Sequence, residues 1–139
     1  MSVKIDTATQ NDIEDIDTLW REAFVGDEPR HRAAAVVPLK LAFQPDLFLV
    51  AREDGTLIGS VMAGYDGYRG HIYRVAVRVS HRRQGIGVLL MHAAEDRLRA
   101  LGCIKINLQV RAENSAVADF YRNLGYEIET HTDMSKAIS

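Results

Sequence analysis

The chain has a single cysteine, three prolines and a net charge of only −2 over 139 residues, and each scarcity excludes something. Cys103 has no second thiol to pair with, so no internal disulfide framework holds the fold, and a lone thiol suits a reducing cytoplasm. Seventeen Lys and Arg against nineteen Asp and Glu give no global attraction for nucleic acid or an anionic membrane. No apolar run nears the roughly 20 residues of a membrane span. The opening MSVKIDTATQ lacks the basic-then-apolar pattern of a signal peptide. His31, His71, His81, His92 and His131 are scattered without metal-ligand spacing, so no metal is expected.

What is present is enough for a core: 47% of residues are hydrophobic and 26% charged. The length predicts one domain spanning 1–139, with no linker, repeat or low-complexity tract. SVKID at 2–6 reads as a short strand. NDIEDIDTLWREAF carries Ile13, Ile16, Leu19, Trp20, Ala23 and Phe24 at helical spacing, and Asn11 with Glu14 predicts a capping box. RHRAAAVVPLKLAF predicts a second helix, bent or ended near Pro38. DLFLVARED and TLIGSVMAGYD, joined at Asp54-Gly55, read as a β-hairpin. A turn at DGYRG leads to a further strand, HIYRVAVRVS.

A helix is predicted from 86 to 101, ended by Gly102. In CIKINLQV, Ile104, Ile106, Leu108 and Val110 alternate onto one strand face, and Cys103 reads as a small buried side chain. NSAVADFYRNLG predicts a short helix capped by Asn114 and closed by Gly125, and YEIETHTDMSK a final strand. The order β-α-α-β-β-β-α-β-α-β predicts a mixed α/β domain around a central sheet.

The densest local pattern is SHRRQGIGVLL, where Arg82, Arg83 and Gln84 precede Gly85 and Gly87 at the entrance to a helix. Helix N-termini have backbone N–H groups without internal partners and a partial positive charge. Glycines there let an anion reach those amides, and arginines add charge-assisted hydrogen bonds. The stretch is neither a Walker A loop nor a dinucleotide fingerprint, since Leu90 stands where the third glycine would fall. A solvated surface turn remains the alternative.

A second pattern, INLQVRAENSAVADFYRNLGYE, follows in order. Together with YRVAVRVSHRRQGIGVLL it resembles the GNAT superfamily of acetyl-CoA-dependent N-acetyltransferases. The segment MAGYDGYRG is further similar to small bacterial members of the YpeA type. The resemblance implies a mostly antiparallel, twisted sheet splayed between its fourth and fifth strands and flanked by helices. It also implies acetyl-CoA as co-substrate, a primary amine of a small molecule or peptide as acceptor, a cytoplasmic location, no membrane or nucleic-acid partner, and a homodimer as one possible assembly.

By the same resemblance, the backbone of Val75, Ala76 and Val77 contacts the pantetheine arm. Arg82, Arg83, Gln84, Gly85, Ile86, Gly87 and Val88 cradle the pyrophosphate, and Asn114 contacts the cofactor. Tyr121 contacts it too and protonates the departing thiolate; out of context it would read as a packed aromatic. Some relatives carry a glutamate at the position of Gln109, whose amide cannot accept a proton at neutral pH. Asp66, Glu113, His71 and Tyr73 are the base candidates. Trp20, Asp27 and Glu28 fall where the family walls its acceptor site, although GDEPRHR also reads as a solvated loop. A non-catalytic acyl-CoA-binding module of the same fold is the rival reading.

Overall fold

The computed structural model describes residues 2–110 and 115–138. The chain forms two compact units, Met1–Gln109 and Val110–Ser139. In the first, β1 (Val3–Thr7), α1 (Ile13–Ala23), α2 (Ala33–Phe43), β2 (Phe48–Glu53), β3 (Thr56–Tyr65), β4 (Arg69–Val77), α3 (Ile86–Ala100) and β5 (Lys105–Leu108) follow in order. The second holds α4 (Ser115–Asn123) and the segment after it.

The sheet runs β1-β2-β3-β4-β5. The first four strands pair antiparallel. β4 and β5 are parallel, a pairing that needs a long crossover, supplied here by α3. Asp54 and Gly55 both have positive φ, +50° and +85°, as a two-residue type I′ hairpin turn requires. This is the hairpin expected between β2 and β3.

Successive β3 residues point to opposite faces. Ser60 Oγ accepts a hydrogen bond from Trp20 Nε1 of α1 at 3.0 Å. On the other face, a Cβ on Gly59 would lie 2.9 Å from Leu90 of α3, so the missing side chain lets that helix lie against the sheet. Trp20 stacks on Phe48 with ring centroids 6.0 Å apart, within a core that includes Ile16, Leu19, Val37, Val50 and Met62.

Three local expectations shift. The capping pair is Thr9 with Asp12: Asp12 Oδ2 accepts the Thr9 N–H at 2.8 Å, ahead of a 3-10 turn that leads into α1. Asp12 is also held by Arg52 Nη2 at 2.8 Å, a partner no local pattern reveals. The second helix runs through Pro38 without ending. The final strand expected at 126–136 is not formed; those residues have no regular secondary structure, because an extended segment becomes a strand only where a neighbour completes its hydrogen bonds.

Candidate active site

The site begins where β4 outlasts its partner. Register between β4 and β5 covers only Arg69↔Lys105 to Ile72↔Leu108. From Tyr73 to Val77, among the described residues, β4 pairs with β3 alone. The strand bearing Val75, Ala76 and Val77 therefore has no β5 partner along that stretch, the splay anticipated between the fourth and fifth strands.

A β-bulge lies in the same stretch, where register shifts between Ser60↔Ala76 and Met62↔Tyr73. Arg74 occupies it at φ +57°, a conformation that costs a non-glycine residue about 1–3 kcal/mol unless its surroundings hold it. They do. Ser60 Oγ donates to Arg74 O at 2.8 Å. The Arg74 guanidinium donates to Asp27 Oδ2 at 2.6 Å and to His31 O at 3.2 Å. It also lies over the Phe24 and Trp20 rings, 4.6 and 5.0 Å from their centroids. Sequence reading did not single out Arg74. The signal was the broken alternation at Val75-Ala76-Val77, three apolar residues in a row.

Asp27 is thus neutralised by Arg74, and Glu28 pairs with Arg30 at 2.8 Å. The two acids that the resemblance places in the wall of the acceptor site each already hold an arginine. Next to them a cleft of about 250 Å³ is lined by Asp17, Trp20, Arg21, Phe24, Asp27 and Arg32, among others.

Beyond β4, a 3-10 turn, Val79–His81, leads through residues 82–85 into α3. Arg83 and Gly85 take left-handed φ of +63° and +80°. Gly85 is the N-cap of α3, and no side chain caps that terminus. A Cβ on Gly85 would meet nothing within 4 Å, so glycine is required there by its backbone angle, and the space above it is open. Ile86 is buried, while Gly87 and Val88 are partly exposed in the first turn. Arg82, Arg83 and Gln84 are exposed, and Arg82 Nε donates back to Val77 O at 3.2 Å.

Among the base candidates, Asp66 Oδ1 accepts the N–H groups of Arg69 at 2.8 Å and Tyr68 at 3.0 Å. Those bonds hold its carboxyl below the usual range, which makes it a poor base. His71 and Tyr73 share one face of β4; His71 is exposed, and the half-burial of Tyr73 pushes its phenol up. A Cβ on Gly64 would come within 2.6 Å of the Tyr73 hydroxyl, so that glycine makes room for it. Gln109 is exposed just after β5. Glu113 and Asn114 lie outside the described residues. Cys103 is partly exposed, its thiol donating to Lys105 O at 3.3 Å.

In the second unit, Tyr121 on α4 packs edge-on against Phe120 and Tyr126, with centroids 5.1 and 5.9 Å apart. Burial pushes its phenol up to about 12, so the proton stays on at neutral pH. Among the described residues, no group of three or more His, Cys, Asp or Glu comes together as a metal site. No helix there is long and apolar enough to cross a membrane.

The chain is 41% identical to an acetyltransferase of Sodalis glossinidius over 86% of its own length and 83% of that protein. It is 37% identical to an uncharacterized N-acetyltransferase of Yersinia pestis, over 93% and 91% of the two chains. The crystal structure of PaiA N-acetyltransferase from Thermoplasma acidophilum in complex with coenzyme A matches with a TM-score of 0.84 at 23% identity. That match covers 95% of this chain and 94% of the other, and the likeness is one of fold. The model of the acetyltransferase (GNAT) family matches residues 13–126, reaching from α1 through Tyr121. The chain is an N-acetyltransferase belonging to the acetyltransferase (GNAT) family.

Proposed function

We propose that the protein holds acetyl-CoA along the unpartnered end of β4 and transfers its acetyl group directly to a primary amine. One observation carries this reading: β4 runs on without a β5 partner through Val75, Ala76 and Val77, then leads into a helix start with no side-chain cap. Main-chain groups of those three residues pair with the amides of the pantetheine arm. Gln84 and the amides of Gly85, Ile86, Gly87 and Val88, open to an anion at a helix N-terminus, take the pyrophosphate, with Arg82 and Arg83 beside it. Asn114, outside the described residues, is assigned to the cofactor by the family resemblance alone. The family match and the relative solved with coenzyme A support this donor.

The amine nitrogen attacks the thioester carbonyl carbon, an N–C bond forms, and the tetrahedral intermediate collapses with loss of the C–S bond. By the family resemblance Tyr121 is the proposed catalytic acid: its phenol gives a proton to the departing thiolate and is reprotonated from solvent. The amine loses its proton to water or to a side chain. Burial pushes the phenol from its ordinary 10.0 to about 12, so it carries its proton at neutral pH and gives it up only to the strongly basic thiolate that forms as the C–S bond breaks. Holding both substrates in a reactive orientation supplies much of the rate. The acceptor approaches from the cleft beside α1 and the segment joining it to α2. The lone free thiol fits a cytoplasmic enzyme.

Incubation with acetyl-CoA and a panel of small amines and peptides, with titration of released thiol, tests the proposal. Amine-dependent thiol release and a mass gain of one acetyl group on the acceptor are expected. Saturable CoA binding without thiol release across the panel would favour a binding module instead.

A further inference from the structure

The 3-10 turn Val79–His81, on which the donor loop is built, is gripped from two sides by carboxylates of distant elements. Glu22, in the last turn of α1, accepts the Val79 N–H at Oε1 over 2.6 Å. Glu53, the last residue of β2, meets His81 Nε2 through Oε1 at 3.1 Å. A carboxylate oxygen accepts, so Nε2 carries the hydrogen. In the neutral ring Nδ1 then accepts from the Ser80 hydroxyl, 2.7 Å away. Arg78 adds a bond from its Nε to Leu57 O at 2.9 Å.

This holding has a purpose. Immediately after the turn the backbone passes through two left-handed residues, Arg83 and Gly85. Such a path persists only when its surroundings over-determine it. An ordered loop has also met its conformational cost before the ligand arrives. Simple electrostatics points the same way: two carboxylates near a phosphate socket repel the ligand, so their contribution is through the bonds they accept.

We propose that Glu22 and Glu53 are positioning residues for the pyrophosphate loop. They hold the turn at 79–81 so that residues 82–88 present their amides in one preformed arrangement. The α1 turn that carries Glu22 also carries Trp20 and Phe24, whose rings hold Arg74. One helix end therefore anchors both the β4 bulge and the donor loop. The inference rests on the donor-site reading above.

The test is calorimetric titration of free CoA into wild type, E22A, E22Q, E53A, E53Q and the remote surface control R99A. Losing one charged hydrogen bond predicts about tenfold weaker CoA binding in E22A, and a weakening of about threefold or more in E53A. A glutamine oxygen still accepts the same N–H, so E22Q and E53Q should stay within about threefold of wild type. R99A should match wild type. Rescue by glutamine is the readout that general loss of structure would not give. Glu22 is exposed, so E22A decides the matter even should E53A prove unstable. E22A binding CoA as tightly as wild type overturns the positioning role alone, and glutamine variants as weak as the alanine ones overturn it too. Wild-type protein that fails to bind CoA overturns the donor-site reading and this role together.

Discussion

The Arg74 guanidinium donates to Asp27 Oδ2 at 2.6 Å, tying the segment between α1 and α2 to a strained residue in the β4 bulge. Both side chains are mostly buried, 16% and 20% exposed, so removing one strands the other. D27A should cost about 1–3 kcal/mol by urea denaturation. R74A should cost a similar amount. R74G should be milder than R74A by about 1 kcal/mol, because glycine is at ease at positive φ. Equal losses for the two would refute strain at this position.

Two glycines of the sheet and the loop should respond differently to alanine. Gly59 has no room: a Cβ would lie 2.9 Å from Leu90 Cδ1 and 3.0 Å from Ala76 O. G59A should therefore lose about 1–3 kcal/mol of stability. Gly85 has open space but a left-handed φ, so G85A should strain only the loop, by about 1–2 kcal/mol. It should weaken CoA binding and lower the melting temperature by several degrees. Unchanged CoA affinity in G85A would contradict the loop assignment.

Replacing Tyr121 by phenylalanine should lower kcat by about a hundredfold or more while leaving CoA affinity close to wild type. Turnover insensitive to Y121F would sink the proton-donor role. The phenol's folded pKa, about 12, lies above its ordinary 10.0. Its stabilising contribution is therefore complete below pH 10 and is lost as pH rises toward 12. Alkaline titration of tyrosinate absorbance should show a late-ionising tyrosine in wild type that Y121F lacks.

Lys40 is buried, with 8% exposure, and its ammonium is bonded to Gln44 Oε1 at 3.3 Å, a neutral acceptor. Burial holds its pKa below 10.5. The folded state is thus penalised while the lysine is charged, and the penalty fades as pH rises through the lowered pKa toward 10.5. K40M should raise the melting temperature at pH 7, with a gain that shrinks in alkali. A lower melting temperature in K40M at pH 7 would contradict this account.

Much of the fold was legible because its signals are local. The apolar runs of β2 and β3, the Asp54-Gly55 turn and the stop at Gly102 each act within a few residues, and they place the ends of β2, β3 and α3 within two residues. The turn into α3 was legible for the same reason: Arg82, Arg83, Gln84, Gly85 and Gly87 are clustered within six residues. Arg74, Glu22 and Glu53 were not. Arg74 is held by Asp27, 47 residues away, and Val79 by Glu22, 57 residues away. The capping pair was misplaced by two residues, since Thr9 and Asp12 compete with an equally plausible Asn11 and Glu14.

The sequence by itself determined the order of elements from β1 to α4, the glycine entrance to α3 and the two motifs that carry the family. Short-range sterics and hydrogen bonding settle such features, so neighbouring residues are enough to encode them. Only the tertiary structure decided that β4 outruns β5, that Arg74 sits strained over two aromatic rings, and that two distant carboxylates grip the turn at 79–81. Those are consequences of which strands end where and which side chains then meet. Chain-distant partners set them, and no local pattern records that choice.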